Sequence, residues 1–389
     1  MLPIVASVGL LVCASESSAS KSCCQPNVMT AAYYERHGGE ETWSLSTEYP
    51  IPKRKPGSVL IRIMASGLNP VDYKMCLGDF PSFVAGPKPK IFGADLAGVV
   101  VKTGVDSKFQ KGDSVFGMKD FQFTPWGTLC EYAAVPESQL ALMPKGISFA
   151  QAATLPLVSL TTLQAFRSGG ITETKRAEMK GKSILIHAGS GGVGNTAIQI
   201  AKYFGLRVTT TCSASNRDYV QGLGADKVID YATQDFEAEL RDDPQDFVLD
   251  VLGGRVESKS ERVLRDAPNS TYMTILNTDM VKHYESWGVL KHLGFFLWTF
   301  GHYSRKLGSQ LLMKRKYTVT AVAPNGEDME YVRRLVEEGH LKPQLSKTYD
   351  LKDFRSALRA IATGHTRGKI AIEIGAGELG EKGKTCPMQ

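Results

Sequence analysis

Sorted into apolar and polar positions, the chain shows two textures. The first is a series of short apolar runs: Thr30 to Tyr34, Ser58 to Met64, Ala97 to Val101, Ser114 to Gly117 and Thr128 to Val135. Glycine and proline punctuate them at Gly86-Pro87, Gly104, Gly112 and Pro136, and Pro50, Pro52 and Pro56 separate Trp43-Ser44-Leu45 from the run that follows. Short strands at this spacing predict a small β-barrel. From Phe149 the texture changes. Ala150 to Phe166 is apolar at helical spacing, and strand–helix units follow, with strands at Lys227 to Asp230, Phe247 to Val251 and Ser270 to Ile275. Polar stretches of helix length separate them, as parallel α/β architecture requires. Tyr317 to Val322 reads as a further strand, and Gly326 to Glu338 as an amphipathic helix closed by Gly339. Gln344 to Tyr349, Lys352 to Ala362 and Lys369 to Ile374 read as strand, helix, strand in the punctuation of the first texture. The chain is therefore expected to return to its first domain.

The α/β part starts from Ser183-Ile184-Leu185-Ile186-His187-Ala188-Gly189-Ser190-Gly191-Gly192-Val193-Gly194. An apolar run ends in a glycine cluster, and a helical pattern follows with Val193, Ala197, Ile200, Ala201 and Phe204 on one face. Gly189, Gly191 and Gly194 have the G-x-G-x-x-G spacing, and a second strand, Arg207 to Thr211, arrives at the expected distance. A pyrophosphate reaches the free N–H groups of a helix N-terminus only where no Cβ blocks it, so this context points to dinucleotide binding over an ordinary surface turn. The second strand ends Thr211-Cys212-Ser213 without the acid that would accept from a ribose 2′-OH, and Asn216 and Arg217 follow. A hydroxyl and a guanidinium suit a 2′-phosphate, which favours NADPH. Ser213 could equally cap a helix that carries Arg217 outward.

Composition narrows the class without changing the picture. The 389 residues suffice for two domains, and 42% hydrophobic with 22% charged residues are values of a soluble globular protein. A net charge of +6 with no long Lys/Arg run gives no case for a nucleic-acid partner. The seven cysteines, Cys13, Cys23, Cys24, Cys76, Cys130, Cys212 and Cys386, are scattered and odd in number, which fits reduced thiols better than a disulfide framework. Residues 1–26 read as a targeting or disordered leader: Leu2 to Val12 is too short to span a bilayer and resembles a secretory-type signal core, without the usual basic residue before it. Thr278 to Lys316 contains Trp287, Phe295, Phe296, Trp298, Phe300 and Tyr303 with basic residues nearby. It reads as a buried helical insertion with a basic end or as a subunit contact. The alternative is an interfacial surface in peripheral membrane contact that admits a lipidic substrate.

Several blocks together resemble the zinc-independent, quinone-oxidoreductase-like branch of the medium-chain dehydrogenase/reductase superfamily. They are Gly67-Leu68-Asn69-Pro70-Val71-Asp72, Gly93-Ala94-Asp95-Leu96-Ala97-Gly98, Gly112-Asp113-Ser114-Val115-Phe116-Gly117, Gly127-Thr128-Leu129-Cys130-Glu131-Tyr132, Leu155-Pro156 with Thr161, the glycine turn, and Gly364-His365-Thr366-Arg367-Gly368-Lys369. Order and spacing agree from Met29 to Ile374. Val228-Ile229-Asp230-Tyr231, the aromatic insertion and the Gly364 to Lys369 block are most similar to the reticulon-4-interacting mitochondrial NADPH oxidoreductases. The resemblance implies a GroES-like β-barrel catalytic domain interrupted by a Rossmann domain with a doubly wound parallel sheet, and a mitochondrial address. The expected division is 27–150 for the first part of the catalytic domain, 151–322 for the Rossmann domain with an aromatic insertion at 278–316, 323–374 for the catalytic return and 375–389 for a disordered tail.

Roles follow from the resemblance. Ser190, Gly191, Gly192, Val193 and Gly194 match the pyrophosphate turn, and Ser213, Arg217 and Tyr231 match positions around the 2′-phosphate. Leu276 would lie near the nicotinamide, and His365, Thr366 and Arg367 match a C-terminal cofactor contact. Asn69 and Tyr73 would face the nicotinamide and acceptor; Asn69 could instead form the turn before Pro70, and Asp72 could be a turn residue or helix cap. Zinc-dependent relatives carry a Cys after the first barrel strand and Gly-His-Glu where this chain has Gly93-Ala94-Asp95, so no metal is expected. Without a Lewis acid the hydride must go to an already electrophilic acceptor, a quinone or an activated enone. The alternatives are an enoyl-thioester reductase and a non-catalytic NADPH- or partner-binding protein on the same fold. Relatives often pair through the Rossmann domain, which implies a homodimer.

Overall fold

The computed structural model describes residues 28–80, 86–275 and 315–375. The leader, Leu276, the aromatic segment as far as Lys314 and the tail beyond Gly375 lie outside the described residues, with Cys13, Cys23, Cys24 and Cys386. Cys76, Cys130 and Cys212 are buried free thiols.

The first texture forms strands β1 (Val28–Tyr34), β2 (Trp43–Pro50), β3 (Ser58–Gly67), β4 (Lys90–Ile91), β5 (Asp95–Lys102), β6 (Ser114–Met118), β7 (Tyr132–Pro136) and β8 (Leu140–Leu142). Inward side chains such as Met29, Val59, Ile61, Leu96, Val115 and Val135 close one core between them. Trp43-Ser44-Leu45 opens a longer strand than its short apolar run suggests. The Thr128 to Val135 run is a strand only from Tyr132, because the Thr128 and Leu129 amides both donate to Phe92 O and turn the chain away from a ladder. A helix over Pro70–Leu77 starts with Pro70 in its first turn, where the missing N–H costs nothing, and ends at Gly78 with φ +87°. The apolar stretch after Phe149 is two helices, Phe149–Ala153 and Pro156–Ser168, since Pro156 opens a new helix more readily than it continues one.

The second texture forms a six-stranded parallel sheet from β9 (Ser183–Ile186), β10 (Arg207–Cys212), β11 (Lys227–Asp230), β12 (Phe247–Asp250), β13 (Thr271–Ile275) and β14 (Lys316–Thr320). Its order is β11-β10-β9-β12-β13-β14. Strands β9 and β12 are buried at every position, as helix-covered parallel strands are. The strand order reverses between them, which opens a crevice at their carboxyl ends.

The chain then returns. Strands β15 (Leu345–Asp350) and β16 (Lys369–Glu373) join the barrel side in a sheet of order β15-β16-β3-β5-β6-β8. Strand β16 runs antiparallel to β3 with Ala371 opposite Gly67, and β3 runs antiparallel to β5 with Ala65 opposite Ala97. This register sets the beginnings of β16 and β5 on either side of the end of β3. Lys369, Asp95 and Asn69 stand at those three ends.

Candidate functional site

The dinucleotide turn is made of backbone. Strand β9 ends at Ile186, Ala188 adopts φ +53°, and the helix Gly192–Tyr203 begins after Gly191 with no side chain capping it. The glycines have different duties. A Cβ on Gly189 would come within 2.1 Å of Thr210 Oγ1, and one on Gly194 within 2.2 Å of Ala188 O, so these two let strand and helix close on each other. A Cβ on Gly191 would meet nothing nearer than 3.3 Å; that glycine leaves a side-chain-free approach to uncapped helix N–H groups. Such a cradle fits a pyrophosphate.

Beneath the turn runs a relay that sequence reasoning missed. Ser260 Oγ donates to Val256 O at 2.7 Å, so it accepts the His187 Nε2–H at 2.9 Å. His187 Nδ1 is then an acceptor and takes the Thr211 Oγ1–H at 3.1 Å, while Thr211 Oγ1 accepts the Ala188 N–H at 3.2 Å. Burial pushes the His187 pKa down, which keeps the ring in the one neutral tautomer that completes the chain. The relay holds Ala188 in its positive φ. A lone histidine at a strand end gives no sequence signal for this, because its partners lie 24 and 73 residues away.

The ends of β10 and β11 form the neighbouring corner. Cys212 stands opposite Asp230, which sets Ser213 beside Tyr231 at the strand tips. Asn216 Nδ2 donates to Ser213 Oγ at 3.1 Å, and Arg217 donates to Val228 O at 3.1 Å, anchoring its guanidinium over the end of β11. The Asp230 carboxylate is held by Thr233 Oγ1 and the Ala232 N–H. The Gly364 to Lys369 block closes on both places. Gly368 N–H donates to Ser190 O at 2.9 Å, and the Arg367 guanidinium lies 5.1 Å over the ring of Tyr219, on the same short helix as Arg217. Thr366 is half-buried and His365 exposed between them. The structure thus brings together Ser190 to Gly194, Ser213, Arg217, Tyr231 and the Thr366–Arg367 pair.

The barrel wall is made of side chains. Asn69 Nδ2 donates to Asp95 Oδ2 at 2.9 Å, and the Lys369 ammonium donates to Asn69 Oδ1 at 2.5 Å and to Leu68 O at 2.6 Å. The same ammonium stands 3.5 Å from Asp95 Oδ2, while Asp95 Oδ1 accepts the Leu157 N–H at 2.8 Å. Asn69, Asp95 and Lys369 are 1%, 0% and 5% exposed. Burial raises the Asp95 pKa and lowers that of Lys369, with their mutual attraction opposing both shifts. Asp72 accepts the Asn69 N–H at 2.7 Å as a helix-capping carboxylate, and burial pushes its pKa up to about 7. Asn69 Oδ1 and one of its two amide N–H groups are thus committed inside the wall. Tyr73 follows Asn69 by four residues on the helix that Asn69 caps. It is partly buried against the cluster that contains Leu68 and Phe354, whereas Val71 and Met75 of the same helix belong with Ala94 and Phe121. Among the described residues, no three His, Cys, Asp or Glu side chains converge as a metal-holding group.

Comparison with known proteins agrees with this architecture. Residues 55–145 match the family model of the alcohol dehydrogenase GroES-like domain, and residues 223–372 that of zinc-binding dehydrogenase. The chain is 30% identical to the mitochondrial NAD(P)H oxidoreductase RTN4IP1 of Mus musculus, covering 91% of each chain. It is 32% identical to the 2-methylene-furan-3-one reductase of Solanum lycopersicum, over 96% of this chain and 85% of that one. The quinone oxidoreductase structure from Coxiella burnetii superposes with a TM-score of 0.73 at 28% identity, covering 89% of this chain and 99% of that one.

Proposed function

The chain belongs to the quinone-oxidoreductase-like branch of the medium-chain dehydrogenase/reductase superfamily, and from that premise we propose that it transfers a hydride from NADPH to a quinone or an activated enone without zinc. It is an oxidoreductase that uses a nicotinamide cofactor. One observation supports NADPH above the rest: the tips of β10 and β11 bring Ser213, Asn216, Arg217 and Tyr231 together, and the one carboxylate between them, Asp230, is taken up by its own turn. The similarity to a 2-methylene-furan-3-one reductase supports the enone arm, and that to a quinone oxidoreductase the quinone arm.

When bound, the reduced nicotinamide supplies the hydride. The chain's own residues bind and orient. Gly191 and the first turn of the Gly192–Tyr203 helix receive the pyrophosphate, Arg217 and Arg367 the adenosine end, and Leu276 is proposed for the nicotinamide edge. Where zinc-dependent relatives carry a Cys and Gly-His-Glu, this chain has Gly67-Leu68-Asn69 and Gly93-Ala94-Asp95, and Asn69 and Asp95 are both held by an ammonium. That donor set has no room for a hard-bound zinc, which supports an acceptor that is electrophilic without help. The barrel is proposed as the catalytic domain over 27–150 and 323–374, the nucleotide domain as 151–322, a homodimer as the assembly through the latter, and the mitochondrion as the address.

The test is NADPH consumption by full-length protein with a tail-less quinone, an exocyclic enone and an enoyl-CoA in parallel, and elemental analysis of the same preparation. Turnover of the quinone or enone with zinc far below one per chain is expected. Turnover of the enoyl-CoA alone would replace the reading with an enoyl-thioester reductase, and zinc near one per chain would end metal independence.

A further inference from the structure

Lys369 belongs to neither the pyrophosphate turn nor a substrate contact, yet it touches both sides of the site. Its backbone follows Gly368, whose N–H is bound to Ser190 O in the turn. Its aliphatic stem lies against Gly192, where a Cβ would come within 3.0 Å of Lys369 Cδ. Its ammonium then crosses to the barrel and ends on Leu68 O, Asn69 Oδ1 and Asp95 Oδ2. An ammonium has three N–H groups and here meets three acceptors, so none is left for a substrate. General acid and electrophilic duties are thereby excluded for it. The asparagine is fixed as well: only Oδ1 can accept from the ammonium and only Nδ2 can donate to the carboxylate. Asp95, in turn, holds the amide of Leu157 at the start of the Pro156–Ser168 helix, which packs against Gly192 through Val158. The circuit closes on itself from turn to barrel to helix and back to the turn.

We propose that Lys369 is a positioning residue for hydride transfer: a buried ammonium that bolts the pyrophosphate turn to the barrel wall and so sets the distance between cofactor and acceptor. The proposal rests on the nicotinamide-dependent reading above for its chemistry, and on the Gly192–Lys369–Asp95 circuit for its geometry. A buried charge pair is a weak source of net stability, since desolvation offsets most of the attraction. It is a strong source of geometric definition, because removing one partner leaves the other uncompensated.

The experiment uses full-length Lys369→Ala and the charge-free double variant Lys369→Met with Asp95→Leu. NADPH affinity is measured by nicotinamide fluorescence, without any acceptor, and turnover with the tail-less quinone. For Lys369→Ala the expected result is a kcat loss of about a hundredfold with the quinone KM unchanged and an NADPH Kd raised less than tenfold. Ethylammonium should restore at least a tenth of the lost kcat, saturably, and tetramethylammonium should not, because it has no N–H to give to Leu68 O and Asn69 Oδ1. The double variant should melt near the parent yet keep the kcat loss. Should the double variant recover parental kcat and Kd, the pair does no more than neutralise itself and the proposal is overturned. Parental kcat in Lys369→Ala overturns it as well. If the parent protein binds NADPH and reduces no quinone, the functional reading fails by itself. Ethylammonium-dependent recovery of NADPH affinity in Lys369→Ala then still decides for the bolt, and an affinity indifferent to the amine decides against it.

Discussion

The two sides of the candidate site are built by opposite means. The pyrophosphate turn is a main-chain device: the residues from Ser183 to Gly194, two glycines that allow close packing and one that leaves an approach open. The barrel wall is a side-chain device: three groups from the ends of three strands, with Lys369 and Asn69 separated by 300 residues of chain. A main-chain cradle has no titratable group of its own, so added atoms harm it first, and pH reaches it only through the buried His187 beneath it. A side-chain site of buried charges tolerates small changes of shape and is exposed to every change of protonation. One molecule thus joins a steric half to an electrostatic half along a single seam.

The largest expected effect tests whether the wall answers to charge. Asp72 is raised from an ordinary 3.8 to about 7, chiefly by burial, with the Asn69 N–H pulling the other way. The folded chain then keeps a proton that the unfolded chain has lost, so stability falls as pH rises from about 4 to about 7 and is level above. The full span is worth at most about 4 kcal/mol. Asp72→Asn retains an oxygen for the Asn69 amide and should remove this slope, read by urea unfolding at pH 5 and pH 8. Parallel pH dependence in parent and variant would break the contrast. Next comes the steric half. Gly194→Ala drives a Cβ toward Ala188 O and should cost roughly 1–3 kcal/mol of stability, seen as a lower Tm. Gly191→Ala brings a Cβ only to 3.3 Å from that same oxygen, and should lower Tm much less while weakening NADPH at least tenfold in a fluorescence titration. If both variants lose stability alike and NADPH affinity is unchanged in Gly191→Ala, Gly191 is a packing glycine and not the open approach. The smallest effect sharpens the steric half at its edge. Arg217→Ala removes one charge-assisted contact, about 1.5–3 kcal/mol, from NADPH binding and should leave NADH untouched. Equal losses for both cofactors would show that Arg217 does not read the 2′-phosphate.

The contrast also explains what the sequence disclosed. The turn was legible because backbone approach demands glycine at fixed short spacing, and β9, the helix after it and β10 all follow within thirty residues. The absence of an acid after Cys212 was legible for the same local reason. The return of β15 and β16 to the barrel could be inferred from punctuation alone. The role of Lys369 is not legible in its motif, since its partners become neighbours only through the β16–β3–β5 register. Asn69 Oδ1 and one amide N–H also hold Lys369 and Asp95, an arrangement that no spacing rule contains. The His187 relay was hidden likewise, behind a threonine and a serine that read as ordinary strand and helix residues.

The late return of β15 and β16 has a consequence for the order of events at the ribosome. Roughly two hundred residues separate Leu142 from Leu345, and at about 5–20 residues per second their synthesis takes on the order of 10–40 seconds. Through that interval the nascent barrel carries Asp95 and Asn69 without their ammonium and β3 with a bare edge where β16 will lie. The nucleotide-binding sheet is made in the meantime and can close first. Strand β16 then delivers the charge that completes the wall, so a chain shortened before Lys369 would emerge with the residues of the cofactor turn and without the ammonium of the wall.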